Sequence, residues 1–167
     1  MTGVSLRRDI LAMEDAGARR SMIFTDLGIV TTTAASGPAL TRTMLSEMTQ
    51  GRPDVVVFEL GDGILGAYGV EAILSSPDIK DALSCVVLSA NDPVAAWGGV
   101  KLLREKFNIE PAVVTGPATD NAVGVNIIRD QFSVPAFNAI TDGAKLGDCI
   151  IDKLGLKTKQ LETEESE

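Results

Sequence analysis

Short apolar runs alternate along this chain with longer stretches of helical period. The clearest run is Asp54-Val55-Val56-Val57-Phe58, mostly β-branched or aromatic, with Gly51 and Pro53 just ahead of it. It reads as a buried strand. Cys85–Leu88, Pro111–Thr115 and Val134–Phe137 read as further buried strands, and Ser21–Thr25 as a short one. Apolar spacing predicts a helix over Leu6–Ala18, through Ile10, Leu11 and Ala18, and another from Gly37-Pro38 to Met48, through Leu40, Met44, Leu45 and Met48. Ile64–Leu74 is helical in pattern but interrupted by Gly66 and Gly69. Pro77–Leu83 forms a short helical turn. Longer helices follow from Pro93 to Lys106, from the Asn121 turn to Gln131, and from Ala144 to Leu154, where Gly155 stops the last. Ser5 suits the N-cap of the first helix. The threonine-rich stretch Ile29–Ala35 is an extended segment or a mobile loop.

From Asp54 onward strand and helix alternate regularly. Right-handed βαβ crossovers then predict a parallel sheet with helices on both faces. The expected fold is α/β, a three-layer α-β-α sandwich around a mostly parallel sheet of four to five strands. Residues 1–155 are expected to form one domain, and the acidic tail 156–167 is expected to be disordered.

Composition sharpens this picture. Apolar residues make up 45% of the 167 residues but aromatics only 4%, so the core is aliphatic. A net charge of −8 argues against nucleic-acid or anionic-membrane partners, which want clustered Lys and Arg. No histidine is present, so histidine-ligated zinc and His-dependent triads are excluded. Acid–base chemistry would fall to carboxylates, lysines, Tyr68 or water. Cys85 and Cys149 read as buried structural thiols in a reducing, cytoplasmic compartment. Neither a signal peptide nor an apolar run long enough for a bilayer is seen.

The candidate chemistry lies where strands end. Asp54–Phe58 delivers Glu59 into a glycine-bracketed turn, Gly61-Asp62-Gly63. Ligands of parallel sheets bind beyond the carboxyl ends of the strands. The other strands end in similar polar clusters: Ser89, Asn91 and Asp92; Thr115, Gly116, Thr119, Asp120 and Asn121; Asn138, Thr141 and Asp142. Helix capping by Asp92, Thr119 and Asp142 explains about half of this rim. The remaining acceptors and amides, beside helix N-termini, would suit a phosphorylated ligand and Mg²⁺, which takes one or two protein carboxylates plus phosphate and water.

The stretch Val55-Val56-Val57-Phe58-Glu59-Leu60-Gly61-Asp62-Gly63 resembles the strand and acidic glycine turn of dethiobiotin synthetase and its relatives, where a similar strand ends in Glu-Gly-Ala-Gly-Gly. These are P-loop nucleotide-dependent enzymes, grouped with the cobyrinic acid amide synthetases and the molybdopterin-guanine dinucleotide accessory proteins. Val86–Ala90, Ala112–Gly116 and Val134–Asn138 resemble later core strands of that class, and Met1-Thr2-Gly3 the end of a Lys-Pro-x-x-x-Gly segment. The resemblance implies that Glu59 holds magnesium, with Asp26 or Asp9 as a second contact. It implies that the loops after Thr115 and Asn138 lie near the nucleotide base. Two departures stand out. The phosphate-cradling Gly-x-x-x-x-Gly-Lys-Ser/Thr loop is absent and would lie upstream of Met1. Thr115-Gly116 also replaces the family's asparagine before the base.

The expectation is therefore an ATP- and Mg²⁺-dependent ligase- or kinase-type enzyme, N-terminally incomplete, acting on a small metabolite. Glu59 and Asp62 would be catalytic. Gly61, Gly63, Asn91, Asp92, Thr115, Gly116, Thr119, Asp120, Asn121 and Asn138 would bind substrate or nucleotide. Its partner would be an upstream P-loop segment or subunit, or a second copy of the chain. The alternative is a non-catalytic α/β domain that binds a metabolite at the same rim.

Overall fold

Glycine, proline and capping residues set the element boundaries. The computed structural model describes residues 6–156. Ser5, the Met1–Gly3 resemblance and all of the tail except Leu156 lie outside the described residues. The chain divides into two compact units, Met1–Ala82 and Leu83–Glu167.

The first unit is helical. Helix α1 (Arg7–Asp15) buries Ile10 and gives way to Gly17, whose φ is 96°. A 3₁₀ turn, Phe24–Leu27, follows, in which Asp26 accepts a hydrogen bond from the Ile23 amide at 3.1 Å. Helix α2 (Gly37–Thr49) carries Pro38 in its first turn and buries Leu40, Thr41 and Met44. Helices α3 (Val70–Leu74) and α4 (Pro77–Asp81) pack beside it, with Arg42 of α2 forking onto Asp78 of α4 at 2.6 and 2.7 Å.

The second unit is a small α/β layer. Strand β1 (Val87–Ser89) pairs in parallel with β2 (Val113–Thr115), in the register Val87 to Val113, Leu88 to Val114 and Ser89 to Thr115. Helix α5 (Pro93–Phe107) connects them, with Asp92 accepting from the Ala95 amide at 2.8 Å as its cap. After the 3₁₀ turn Pro117–Thr119 comes α6 (Ala122–Phe132), and α7 (Gly143–Leu154) ends at Gly155. Ala96 and Val100 of α5 and Ile128 of α6 pack with Val114, Val134 and Ala136 in one buried cluster. No α7 residue belongs to that cluster, yet α7 contacts β2. Side chains alternate along a strand. Val113 and Thr115 therefore face α7, and Val114 faces α5 and α6.

The expected sheet of four to five strands is not formed. Among the described residues about 51% are helical, and the sheet has two strands. Asp54–Phe58 joins no ladder among the described residues, Asp54 lies in a bend, and Val57 is 80% exposed. Apolar runs are alike whether they enter a sheet or line a surface groove. Ser21–Thr25 is no strand either, because its last residues turn into the 3₁₀ segment. Val134–Phe137 is reduced to a single bridge, Val114 to Ala136. Pro135 accepts from the Val114 amide at 2.9 Å but has no N–H to return. The helix expected over Ile64–Leu74 starts only after Gly69, whose φ of 92° interrupts it. No described helix is long and apolar enough to cross a membrane.

Candidate functional site: an acidic groove in the first unit

Burial alternates along residues 55–60. Val56, Phe58 and Leu60 are half-buried, and Val55, Val57 and Glu59 are exposed. The chain then turns sharply, with Asp62 at φ 74° and Gly63 at φ 78°. Aspartate enters this left-handed region more readily than most residues. The turn closes with the Gly66 amide on the Gly63 carbonyl at 3.2 Å. Glu59, Gly61 and Asp62 thereby reach one cavity of about 390 Å³, within the range of small-molecule sites.

Asp9 of α1 lines the same cavity, as do Arg20, Ser21 and Tyr68. So do Met13, Met22, Met44 and Met48, four of the chain's five methionines. Arg20 is anchored to α2: its Nη1 donates to the Glu47 carbonyl at 2.7 Å, and its Nη2 lies 3.8 Å from the Glu47 carboxylate. The lining therefore carries three carboxylates and one guanidinium that already has an acidic neighbour. A bare polyanion would be repelled, and a cation would be attracted. Among the described residues, no three His, Cys, Asp or Glu side chains gather closely enough to hold a metal ion by themselves. Magnesium asks for less, one or two protein carboxylates with water and phosphate oxygens.

Asp26 does not line this cavity. Its carboxylate takes Arg7 Nη1 at 3.1 Å and the Ile23 amide at 3.1 Å, so it closes its own turn. Gly63 serves the turn rather than the lining.

The remaining expected site residues belong to the second unit and follow its strand ends. Asn91 is exposed beside the cap Asp92. Asn121, not Thr119, caps α6, accepting from the Gly124 amide at 3.0 Å. Thr119 Oγ1 donates to the Gly116 carbonyl at 2.6 Å. Gly116 has φ 86°, and a Cβ there would sit 2.6 Å from Ser89 Oγ, so the position requires glycine. Asn138 is buried; its Nδ2 donates to Asp120 at 2.9 Å, and its Oδ1 accepts from the amides of Ile140 and Thr141 at 2.9 and 3.1 Å. Asp142 stands at the N-cap of α7, but its carboxylate takes Lys145 Nζ at 2.7 Å and the Thr141 hydroxyl at 3.1 Å. Those bonds, Lys145 first, hold its carboxyl below the usual range. Thr115 Oγ1, at the end of β2, is buried without a hydrogen-bond partner.

Sequence reasoning missed Arg20 and the methionine wall. Met44 and Met48 share a helix face, but nothing in the sequence ties them to Met13 and Met22. No protein-family profile matches this chain, and no solved structure matches it.

Proposed function

We propose that the chain is part of an ATP-dependent ligase- or kinase-type enzyme acting on a small metabolite, with the groove of the first unit as its metal and substrate site. One observation carries this reading: the acidic glycine turn brings Glu59, Gly61 and Asp62 together on a cavity of metabolite size. Glu59 would hold Mg²⁺, which suits hard carboxylate oxygens and, when bound, neutralises phosphate charge. Asp62 and Gly61 would face the metabolite. The triphosphate does not fit the carboxylate lining without that metal. Its cradle would come from a P-loop segment or partner subunit, or ATP would be shared with a second copy of the chain. A cytoplasmic location is part of the proposal and accords with two free cysteines.

A second reading, a metabolite-binding domain without catalysis, is favoured by one feature of the second unit. One first-turn amide of each of α5 and α6, of the kind a phosphate would use, is already bonded: Ala95 by Asp92 and Gly124 by Asn121. Calorimetric titration with Mg²⁺-ATP separates the two. The enzyme reading predicts binding when a P-loop segment is joined ahead of Met1 and loss of that binding in Glu59→Gln. Absence of binding in both forms favours the metabolite-binding domain.

A further inference from the structure

The groove of the first unit is graded from mouth to floor. Its three carboxylates, on Asp9, Glu59 and Asp62, belong to exposed residues and stand at the mouth. Ile10, Ile23 and Met44 are buried and form the floor. Between them Met13, Met22, Met48 and Phe58 are half-buried. Methionine is unbranched and polarisable, so such a wall adapts to irregular apolar bodies. The charges at the mouth are not equivalent. Asp9 already takes the Leu6 amide at 3.4 Å and lies 3.6 Å from Arg8 Nε. Among the described residues, none bonds to or pairs with the Asp62 carboxylate. Arg20 is the one cationic residue in the lining, and the Glu47 carboxylate faces it at 3.8 Å. An incoming carboxylate therefore meets three like charges and a guanidinium that is already offset. An incoming ammonium meets an unengaged carboxylate. Phe58 and Tyr68 share the lining, and aromatic faces attract cations too.

We propose that the metabolite taken by this groove is an organic cation: an ammonium group on an apolar body, with no carboxylate of its own. The ammonium pairs with Asp62 at the mouth, and the body lies against the methionine wall. This rests on the groove being the metabolite site, and it names the class of metabolite. Glu59 stays with the metal, so the two cations have separate carboxylates. An ammonium donates charge-assisted hydrogen bonds to carboxylate oxygens. Each methylene laid on the wall leaves water and adds to the affinity. A cavity of about 390 Å³ has room for such a body as well as a metal ion. A neutral or anionic analogue of the same length keeps the apolar contact and loses the ion pair.

The test titrates the full-length chain, labelled at its methionine methyls, with octylammonium, octanol or octanoate in metal-free buffer, followed by NMR. Octylammonium should saturably shift the methyls of Met13, Met22, Met44 and Met48 and the amides of residues 61–63. The indole of Trp97, in the second unit, should stay in place. Octylammonium should bind about tenfold or more tighter than octanol, the gain expected of one charge-assisted contact, and octanoate no tighter than octanol. Asp62 sits at φ 74°, a region asparagine also enters readily, so Asp62→Asn keeps the turn. That variant should bind octylammonium only as well as octanol. Met48→Gln should weaken octylammonium and leave Mn²⁺ broadening at residues 59–62 unchanged. Octanoate binding as tightly as octylammonium, no preference over octanol, or Trp97 shifting alongside the methyls would each overturn the proposal. So would unchanged affinity in Asp62→Asn, or methyls that do not move. The two readings fail separately. Mn²⁺ broadening without octylammonium binding overturns the cationic metabolite alone. Octylammonium binding without Mn²⁺ broadening upholds the cation site and removes the metal-dependent enzyme.

Discussion

Replacing Ile128 by alanine tests the packing of the second unit. Ile128 is fully buried, and its cluster contains Ala90, Ala96, Ala118 and Ala136 with Val100, Val114 and Val134. The substitution removes three carbons, worth about 0.8 kcal/mol each in transfer, or about 2.4 kcal/mol together. A cavity term adds to this, because the alanine methyls have no rotamer that could swing inward and the valines are stiff at χ1. The expected loss is about 3–4 kcal/mol, toward the upper part of the range for such truncations. Trp97 is the chain's single tryptophan and lies on α5, so its fluorescence during urea unfolding reports this unit. Ile140→Ala is the control: Ile140 is 93% exposed, and its replacement should cost less than about 0.5 kcal/mol. A loss below about 1.5 kcal/mol at Ile128, with an unchanged urea slope, would refute the close packing around it.

Other features of the structure give equally direct tests. Gly69 has φ 92°, and a Cβ there would lie 2.4 Å from the Thr33 carbonyl oxygen; Gly69→Ala should lower the stability of the first unit by about 2 kcal/mol or more, read by urea unfolding followed at Tyr68, the single tyrosine. Asn121→Ala should cost about 1 kcal/mol as a lost cap, followed at Trp97. Asp142→Ala, whose side chain caps no amide, should cost less than Asn121→Ala in the same assay. The Arg42 fork holds the Asp78 carboxyl down at about 2, from an ordinary 3.8. Its contribution to stability is therefore full above that ordinary value and is lost as pH falls toward 2. Acid melts of Arg42→Gln should show a shallower loss than wild type across that window.

The second unit was the more legible half of the chain. Pro93 behind Asp92 and Gly155 after Leu154 each mark a boundary by local chemistry alone, and the boundaries fell there. Sheet size was not legible, because a strand needs a partner that its own residues do not name. Val55–Phe58 has the composition of a buried strand but lies along a groove with alternate residues outward. Pro135 carries the information that its segment cannot extend a ladder, and this signal was available but unused. At the rim, Asn121 and Asn138 follow turn geometry that depends on the fold of the loops. In the groove, Glu59 and Asp62 were legible because they stand only three positions apart in the chain. Asp9, Arg20 and the methionines come together only through folding.

Manganese titration followed by NMR tests the central claim most directly, because Mn²⁺ takes the oxygen sites of Mg²⁺ and broadens nearby resonances. The account predicts that broadening begins at the amides of residues 59–62 and at Asp9, and that Glu59→Gln removes it. Broadening centred on Asp92 or Asp120, or unchanged by Glu59→Gln, would contradict the assignment of the groove as the metal site.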